Sequence, residues 1–397
     1  MKRFSRNFPV CRIAVQSICF ALFLVLLPVS VSAEPSSCPY DCHLSITYNY
    51  LTKDQQKMYD LLYDGLHDGK FSVDVPVHME HEEAVWLLDY IFNEAPELCA
   101  FDPDHTDITC SSDSLSIQLA YKKPLSVQDQ FIQDVAALSD GFAGQSDEAG
   151  IHSVYEYLIR RFDYGAPAEY GVDVMFAFHA LETNRAACNG YAQTMAMLCH
   201  FAGYSCSYVD GHIVRADGST GNHAWNVASI NTRPVWLDAT WDDEGDHSDD
   251  RWYGLDGAAM AADHKPDPEY SQIVYLTSFL PEGADYSVHL DVNNENGYEY
   301  GVTTESGTTV LQENLQGEEY YSPALVIYNN GGSDIPVTIS YMMDGVRGSW
   351  NECTVLPGSN LAFRLNYASQ LRDNRGYHWI IWYCNGIRIR GFSWNVE

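Results

Sequence analysis

Three residues near the middle of the chain, Cys188, His223 and Asp238, have the side chains that nucleophilic catalysis needs. A cysteine in the first turn of a buried helix meets unpaired backbone N–H groups and the positive end of the helix dipole, which favours the thiolate over the thiol. Such a thiolate could attack a carbonyl carbon and form a thioester, with the N–H of Cys188 available to the oxyanion. Taken alone, a cysteine at a helix start is weak evidence, because a core or bridged cysteine is the commoner case.

The helix that must carry Cys188 is predicted from the spacing of the apolar residues that follow it. They recur with the period of a helix at Cys188, Tyr191, Ala192, Met195, Leu198, Cys199 and Ala202. Gly203 can take the left-handed conformation that ends a helix. The sequence therefore predicts a helix from Cys188 to Gly203, followed by strands at 205–209, 223–227 and 235–239.

His223 and Asp238 flank a predicted antiparallel pair of strands. With the turn centred between Ile230 and Asn231, the two residues stand directly opposite each other, with Cβ atoms about 4.5–5.5 Å apart. A carboxylate at that distance can accept from one imidazole nitrogen and direct the other toward a thiolate. Ile230 disfavours positive φ and Pro234 lacks a ladder donor, and a single bulged residue would move Asp238 off this face. A structural His–Asp pair is the alternative.

Several short motifs surround these residues in a fixed order. They are Arg161-Phe162-Asp163-Tyr164, Cys188-Asn189-Gly190-Tyr191-Ala192, Ala202-Gly203-Tyr204, Gly211, His223-Ala224-Trp225-Asn226 and Leu237-Asp238-Ala239-Thr240-Trp241-Asp242-Asp243. Over residues 145–245 the chain resembles the transglutaminase-like family.

That resemblance implies a papain-like fold in which Cys188 is the nucleophile, His223 the general base and acid, and Asp238 the residue that orients His223. No cofactor and no metal are implied. The family includes protein cross-linkers, deamidases and peptidases, which share an acyl-enzyme step and differ in whether water or an amine accepts the acyl group. The triad does not distinguish these acceptors, and the second oxyanion donor is not assigned. A non-catalytic cell-surface binding or scaffold protein that retains the fold is the alternative.

The composition limits the partners. The chain has 397 residues, with 22 Lys and Arg against 54 Asp and Glu, and a formal charge of −32. Such an acidic chain repels phosphate backbones and anionic lipid surfaces, so we expect a protein or peptide substrate and no nucleic acid. With 46% hydrophobic and 13% aromatic residues, the composition is that of a packed globular protein.

The first 33 residues have the pattern of a signal peptide. Lys2, Arg3, Arg6 and Arg12 precede an uncharged run over 13–33, which ends on the small residues of Val31-Ser32-Ala33. An uncleaved membrane anchor is the alternative, because the run is long enough to span a bilayer. Either outcome predicts a secreted or extracytoplasmic protein.

Nine cysteines would remain after cleavage, so at least one thiol is unpaired. Sequence neighbours suggest four disulfides, which leave Cys188 alone: Cys38–Cys42, Cys99–Cys110, Cys199–Cys206 and Cys353–Cys384. A reduced core Cys199 is equally compatible with the sequence.

We predict an α+β protein: a signal peptide over 1–33, a mainly helical region over 34–125, a papain- or transglutaminase-like core over 126–283, and an all-β, sandwich-like domain over 284–397. In the last domain Asn385-Gly386 between two apolar runs predicts a β-hairpin. This domain offers a possible association with the cell surface or cell wall.

Two further features of the sequence bear on function. An acidic run begins at the end of the motif that contains Asp238, at Asp242, Asp243, Glu244, Asp246, Asp249 and Asp250. It lacks the spacing of a calcium loop and predicts a solvated loop, with weak Ca²⁺ binding or selection of cationic substrates as the alternatives. The motifs of serine hydrolases, phosphate loops and dinucleotide sites are missing from the sequence.

Overall fold

The computed structural model describes only part of the chain. The described residues are 29–31, 34–35, 45–215, 217–243, 250–276, 286–294, 309–311, 321–329, 332–343, 346–349, 353–364, 376–384 and 387–396. Most of the predicted signal segment and the predicted Cys38–Cys42 pair lie outside these residues. Within them, no helix combines the length and the apolarity needed to cross a bilayer.

The N-terminal region is built from three helices and a small antiparallel sheet, preceded by two short strands. Its elements are β1 (Val29–Val31), β2 (Glu34–Pro35), α1 (Lys53–His67), β3 (Ser72–Val75), α2 (His81–Glu94), β4 (Asp107–Cys110), β5 (Leu115–Gln118) and α3 (Leu125–Ser139), with 3-10 turns at Thr47–Tyr50 and Pro103–His105. A capping box starts α1: the Thr52 hydroxyl accepts from the Gln55 N–H, and the Gln55 side chain accepts from the Thr52 N–H.

The central region contains the predicted catalytic motifs. Its elements are α4 (Asp147–Arg161), β6 (Asp163–Tyr164), α5 (Pro167–Tyr170), α6 (Ala177–Thr183), β7 (Arg185–Ala186), α7 (Cys188–Ala202), β8 (Cys206–Val214), β9 (Thr220–Ile230), β10 (Arg233–Leu237), α8 (Gly257–Met260) and β11 (His264–Pro266), with 3-10 turns at Val172–Met175 and Pro268–Ile273. Strands β8 to β11 form one antiparallel sheet in the order β10-β9-β8-β11.

Every described element from residue 286 onward is a strand. These are β12 (Tyr286–Asn294), β13 (Thr309–Leu311), β14 (Tyr321–Asn329), β15 (Ile335–Val337), β16 (Ile339–Met343), β17 (Val346–Ser349), β18 (Cys353–Val355), β19 (Asn360–Arg364), β20 (Gly376–Cys384) and β21 (Ile387–Val396). They form a four-stranded sheet with β1, a six-stranded sheet with β2, and the pair β15-β18. Strands β20 and β21 pair antiparallel with Cys384 opposite Ile387, which is the predicted hairpin. The chain is α+β, as its sequence predicts.

Helix α7 lies at the centre of the molecule, because its apolar residues cover more than one face. It contacts α3, α4 and α6, and also strands β8 and β9 of the central sheet. Gly203 ends it with φ 88°, the left-handed conformation predicted for that glycine. The other side of the sheet is covered by the N-terminal region, whose buried side chains form one cluster with Val209, Trp225, Val227 and Trp236.

The hairpin between β9 and β10 differs from its predicted register. Asn231 and Thr232 take positive φ values of 51° and 64° and form the turn, so that Ile230 pairs with Arg233 and Asn226 with Leu237. Asn231 lies in the turn in both registers, so the difference is that Thr232 rather than Ile230 takes the second left-handed position. Ile230 remains in β9, where its apolar side chain packs against the core. Asp238 therefore does not stand directly opposite His223.

The structure also departs from the predicted disulfides. Cys99 is buried while Cys110 is exposed, and both are separate thiols, so this pairing is not formed. Cys199 and Cys206 are buried thiols whose side chains hydrogen-bond to each other, which is the reduced alternative for Cys199. The side chain of Cys384 lies outside the described residues.

Candidate active site

Cys188 is half-buried at the first residue of α7, and its thiol is free. The preceding residue, Ala187, donates its N–H to the carbonyl of Val174 at 2.7 Å, which holds the helix start against the turn over Val172–Met175. Gly190 lies against the same turn, and a Cβ there would meet the Val174 oxygen at 2.7 Å. The glycine of the Cys188 motif is thus required by close packing behind the nucleophile.

Asn226 joins the helix of Cys188 to the strand of His223. Its side-chain amide donates to the carbonyl of Ala192 on α7 at 2.9 Å and to the carbonyl of Ser207 on β8 at 3.1 Å. This residue is almost fully buried, so breaking these bonds would leave polar groups without partners. The asparagine of the His223 motif therefore fixes the distance between helix and sheet.

His223 lies on β9, and its ring has two partners in the site. Nε2 is 2.7 Å from Oδ2 of Asp238, and the Cys188 side chain is a further hydrogen-bond partner of the ring. The three predicted site residues are therefore brought together. Because the register places Asp238 level with Trp225, two residues along β9 from His223, the pair is diagonal, and both side chains still lie on one face.

Asp238 is held by hydrogen bonds on both of its oxygens. Oδ1 accepts from the backbone N–H groups of Thr240 at 2.9 Å and Trp241 at 3.2 Å. Oδ2 accepts from His223 and, at 3.1 Å, from Nε2 of His264. A carboxylate offers about four acceptor positions, so the buried Asp238 has a donor for each.

The charges of the site are strongly coupled. Burial lowers the pKa of the His223 imidazole, but the Asp238 carboxylate and the neighbouring Cys188 raise it, with the result that the pKa is about 10. Burial raises the pKa of Asp238, whereas His223 and His264 lower it to about 2. Around neutral pH the two residues are an imidazolium and a carboxylate in contact.

A second chain of hydrogen bonds starts at the nucleophile. The Cys188 thiol lies 3.5 Å from Oδ1 of Asn189, whose amide donates to the Tyr208 hydroxyl at 2.6 Å, and that hydroxyl donates to Asp210 at 2.8 Å. Burial raises the pKa of Asp210 to about 6, with the carboxylates of Asp267 and Asp89 adding to the effect. The wall beside Cys188 is therefore polar and acidic.

Aromatic rings surround the histidines. Trp225 stacks on His223 with ring centres 6.0 Å apart, Trp241 lies 5.6 Å from His223, and Trp252 lies 5.0 Å from His264. Trp225 is 1% exposed and packs against both imidazoles. These rings exclude water from the Asp238 carboxylate.

Asp242 and Asp243 of the acidic run do not belong to a solvated loop. Asp242 is buried and accepts from the Tyr155 hydroxyl at 2.6 Å and from the Trp252 N–H at 2.9 Å, while Asp243 accepts from the Tyr191 hydroxyl. They bind the chain after Asp238 to helices α4 and α7. Residues 244–249 of the run lie outside the described part of the chain.

His264 is the site residue that sequence reasoning missed. It lies on β11, beyond the last motif, is fully buried, and places Nδ1 at 2.8 Å from Asp263 as well as Nε2 near Asp238. Its only sequence signal is the pair Asp263-His264, which is too common to indicate a site.

His223, Asp238 and His264 are also residue types that bind metal ions, and their ligand atoms lie within 4.8 Å of one another. A second such group, His152, Glu156 and Asp250, lies at the surface. In the first group, Nε2 of His223 and Nε2 of His264 are both at hydrogen-bonding distance from Oδ2 of Asp238. This is the arrangement of a cluster linked by shared protons.

Comparisons with known proteins find a family match for the part of the chain that contains this site. Residues 136–256 match the model of the Transglutaminase-like superfamily, whereas no curated protein sequence matches the chain.

Among solved structures, a TGase is similar over 43% of this chain and 50% of its own, at 13% identity and a TM-score of 0.25. A candidate cysteine protease from Cytophaga hutchinsonii is similar over 34% of this chain and 61% of its own, at 12% identity and a TM-score of 0.23. An alkylpurine DNA glycosylase from Pseudomonas fluorescens is similar over 29% of this chain and 31% of its own, at 11% identity and a TM-score of 0.18. This chain thus spans between about a third and three fifths of these proteins. The segment that the family model matches, residues 136–256, contains Cys188, His223 and Asp238, so the predicted resemblance to the transglutaminase-like superfamily is confirmed for this segment.

Proposed function

We propose that this protein is a cysteine acyltransferase or hydrolase that forms a thioester with a peptide or glutamine-type amide. The observation that carries the proposal is the contact between His223 and Asp238 at 2.7 Å, with the free thiol of Cys188 on the same imidazole. A nucleophile, a base and a group that orients the base are the three parts of this chemistry.

In the proposed reaction the Cys188 sulfur attacks the amide carbon, and the C–N bond breaks as the His223 imidazolium gives its proton to the leaving amine. The thioester is then attacked by water or by a second amine, with His223 taking the proton of the attacking group, and the C–S bond breaks to release the acyl product and return Cys188 as a thiolate beside the His223 imidazolium. The backbone N–H at the start of α7 is suited to hold the oxyanion, because the first residues of a helix have no intrahelical acceptor for it.

The alternative, a binding protein that retains the fold, predicts a bridged or fully buried Cys188. The half-buried free thiol supports the enzyme. We also propose that the enzyme acts outside the cytoplasm, on the basis of the signal-peptide pattern over 1–33, and that residues 284–397 hold it near its substrate.

The direct test is competitive alkylation with iodoacetamide near neutral pH, read site by site by mass spectrometry. Cys110 is an exposed free thiol and serves as the internal comparison. We expect Cys188 to react faster than Cys110, and His223→Ala to remove that advantage. Equal rates at both thiols in the wild type would contradict the proposal.

The acceptor is tested by turnover of a glutamine peptide with and without a primary amine. Cys188→Ala should abolish both the release of ammonia and the incorporation of amine, while Cys110→Ser should change neither. Ammonia release alone identifies a hydrolase, and incorporation identifies a cross-linker. A Cys188→Ala variant with wild-type turnover would contradict the assignment of the nucleophile.

A further inference from the structure

The hydrogen bonds of Asp238 include one partner that no catalytic role explains. His264 donates from Nε2 to Oδ2, the same oxygen that accepts from His223. It lies outside the residues matched by the family model, 136–256. It is 0% exposed, so it cannot touch a substrate.

The position of His264 is fixed from several sides. Strand β11 pairs with β8, with His264 opposite Ile213, and the carbonyl of Asp263 accepts from the N–H of Val214 at 2.8 Å. Trp225, Trp241 and Trp252 lie around the ring, with centres 4.6 to 5.0 Å from it. An imidazole so enclosed has one orientation, and its nitrogens face Asp238 and Asp263.

Both neighbours of His264 are carboxylates, which only accept hydrogen bonds when ionised. A hydrogen on Nε2 makes the 3.1 Å contact with Asp238 a hydrogen bond, and Nδ1 lies 2.8 Å from the Asp263 carboxylate. A donor of that kind competes with His223 for Oδ2 and weakens the attraction of Asp238 for the His223 proton.

We propose that His264 is a positioning residue of the catalytic centre, which shares Oδ2 of Asp238 with His223 and so sets how firmly Asp238 holds the His223 proton. This rests on the proposed function, because the proton on His223 is the one given to the leaving amine. A proton held too firmly makes a poor general acid, and a proton held too loosely leaves the thiolate without its partner.

The titratable groups around the pair limit what else could act on it. His223 is faced by Asp238, Cys188, Asp210 and His264, and His264 is faced by Asp238, Asp263 and His223. Of these, only His264 and Asp263 can be changed without altering the proposed triad or the wall beside Cys188.

The experiment compares His264→Phe, which keeps the ring and removes the donor, with His264→Gln, which keeps an N–H donor. The rate of Cys188 alkylation by iodoacetamide is measured against pH. Without the competing donor the His223 imidazolium is more stable, and it stabilises the Cys188 thiolate. We therefore expect the pH midpoint of Cys188 alkylation to be lower in His264→Phe, and close to the wild type in His264→Gln. In turnover of the glutamine peptide, the kcat of His264→Phe should fall roughly tenfold with KM unchanged.

Asp263→Asn provides a variant that leaves the tryptophan cluster intact if His264→Phe does not fold, because the Asp263 side chain is 33% exposed. It should move the midpoint in the same direction by a smaller amount. The proposal would be overturned if the folded variants had the same pH midpoint of alkylation as the wild type and differed only in the fraction of active molecules. A shift of the midpoint to higher pH would also overturn it. If wild-type Cys188 reacts no faster than Cys110, the proposed function itself fails, before any variant is compared.

Discussion

Asp238 lies diagonally across the β9–β10 pair from His223, offset by two residues along β9. Its Oδ2 is nevertheless 2.7 Å from Nε2 of His223. The diagonal is possible because strand β10 ends at Leu237, and the N–H of Asp238 turns to the carbonyl of Trp252 at 2.9 Å. From there the side chain points back along the face of the sheet. The acid–base pair therefore depends on the chain after β10 as much as on the hairpin.

Replacement of Asp238 by asparagine tests this dependence. The amide keeps the volume, but it removes the charge and places either a donor or a weaker acceptor against His223. We expect kcat to fall by about two to four orders of magnitude with little change in KM, because orientation and charge are lost while substrate contacts remain. The measurement is steady-state turnover of the glutamine peptide. A variant with wild-type kcat would show that His223 is oriented by other groups.

Replacement of His223 by alanine should reduce both the alkylation of Cys188 and turnover, the latter by about two to four orders of magnitude. The matched control is His105→Ala. His105 also forms a close pair with an aspartate, 2.9 Å from Asp102, but its side chain is 79% exposed. Its replacement should leave both readouts unchanged. Equal losses in the two variants would mean that the effect is on folding rather than on the active site.

The sequence predicts the helix of Cys188, the strands around it and the three residues that meet, because these depend on apolar periodicity and on local motifs. It does not predict the register, which is decided by whether Ile230 or Thr232 takes a positive φ. Nor does it predict His264, which reaches Asp238 through the pairing of β11 with β8 over about 50 residues of chain. Contacts set by packing between distant strands leave no local pattern.

The close packing behind Cys188 predicts the effect of Gly190→Ala. The added methyl would meet the carbonyl oxygen of Val174 at 2.7 Å and the Ala186 methyl at 3.0 Å, so the turn or the helix start must move. We expect a loss of about 1–3 kcal/mol in the free energy of unfolding and reduced turnover. Gly141→Ala, where the nearest contact is 3.4 Å, is the control. Unchanged denaturant midpoints for Gly190→Ala would contradict the packing argument.

The charge pair also predicts how stability depends on pH. The pKa of His223 is raised from 6.5 to about 10, so its contribution is complete below 6.5 and is lost as the pH rises through about 10. The pKa of Asp238 is lowered from 3.8 to about 2, so its contribution is lost only as the pH falls through that range. The difference in free energy of unfolding between the wild type and His223→Gln should shrink on the alkaline side. A difference that stays constant up to about pH 10 would contradict the pair.

A buried carboxyl group away from the active site has its pKa shifted in the direction opposite to that of Asp238. Glu94 is 2% exposed near the end of α2, and its Oε1 accepts from the Thr47 hydroxyl at 2.7 Å. Burial raises the pKa of Glu94 from 4.5 to about 8, although hydrogen bonds from Thr47, Ser45 and Ser207 lower it in part. The folded protein therefore prefers the neutral acid.

Because the folded pKa of Glu94 lies above the unfolded one, the folded state binds the extra proton between 4.5 and about 8, and stability falls as the pH rises through this range. Glu94→Gln is neutral at every pH and should escape this loss. We expect it to be more stable than the wild type at about pH 9, with the advantage disappearing at acid pH. Urea unfolding at a series of pH values measures this, with the exposed Glu82→Gln on the same helix as the control. If Glu94→Gln and the wild type lose stability in parallel from acid to alkaline pH, Glu94 is ionised in the folded protein and is held by its three hydroxyl partners instead.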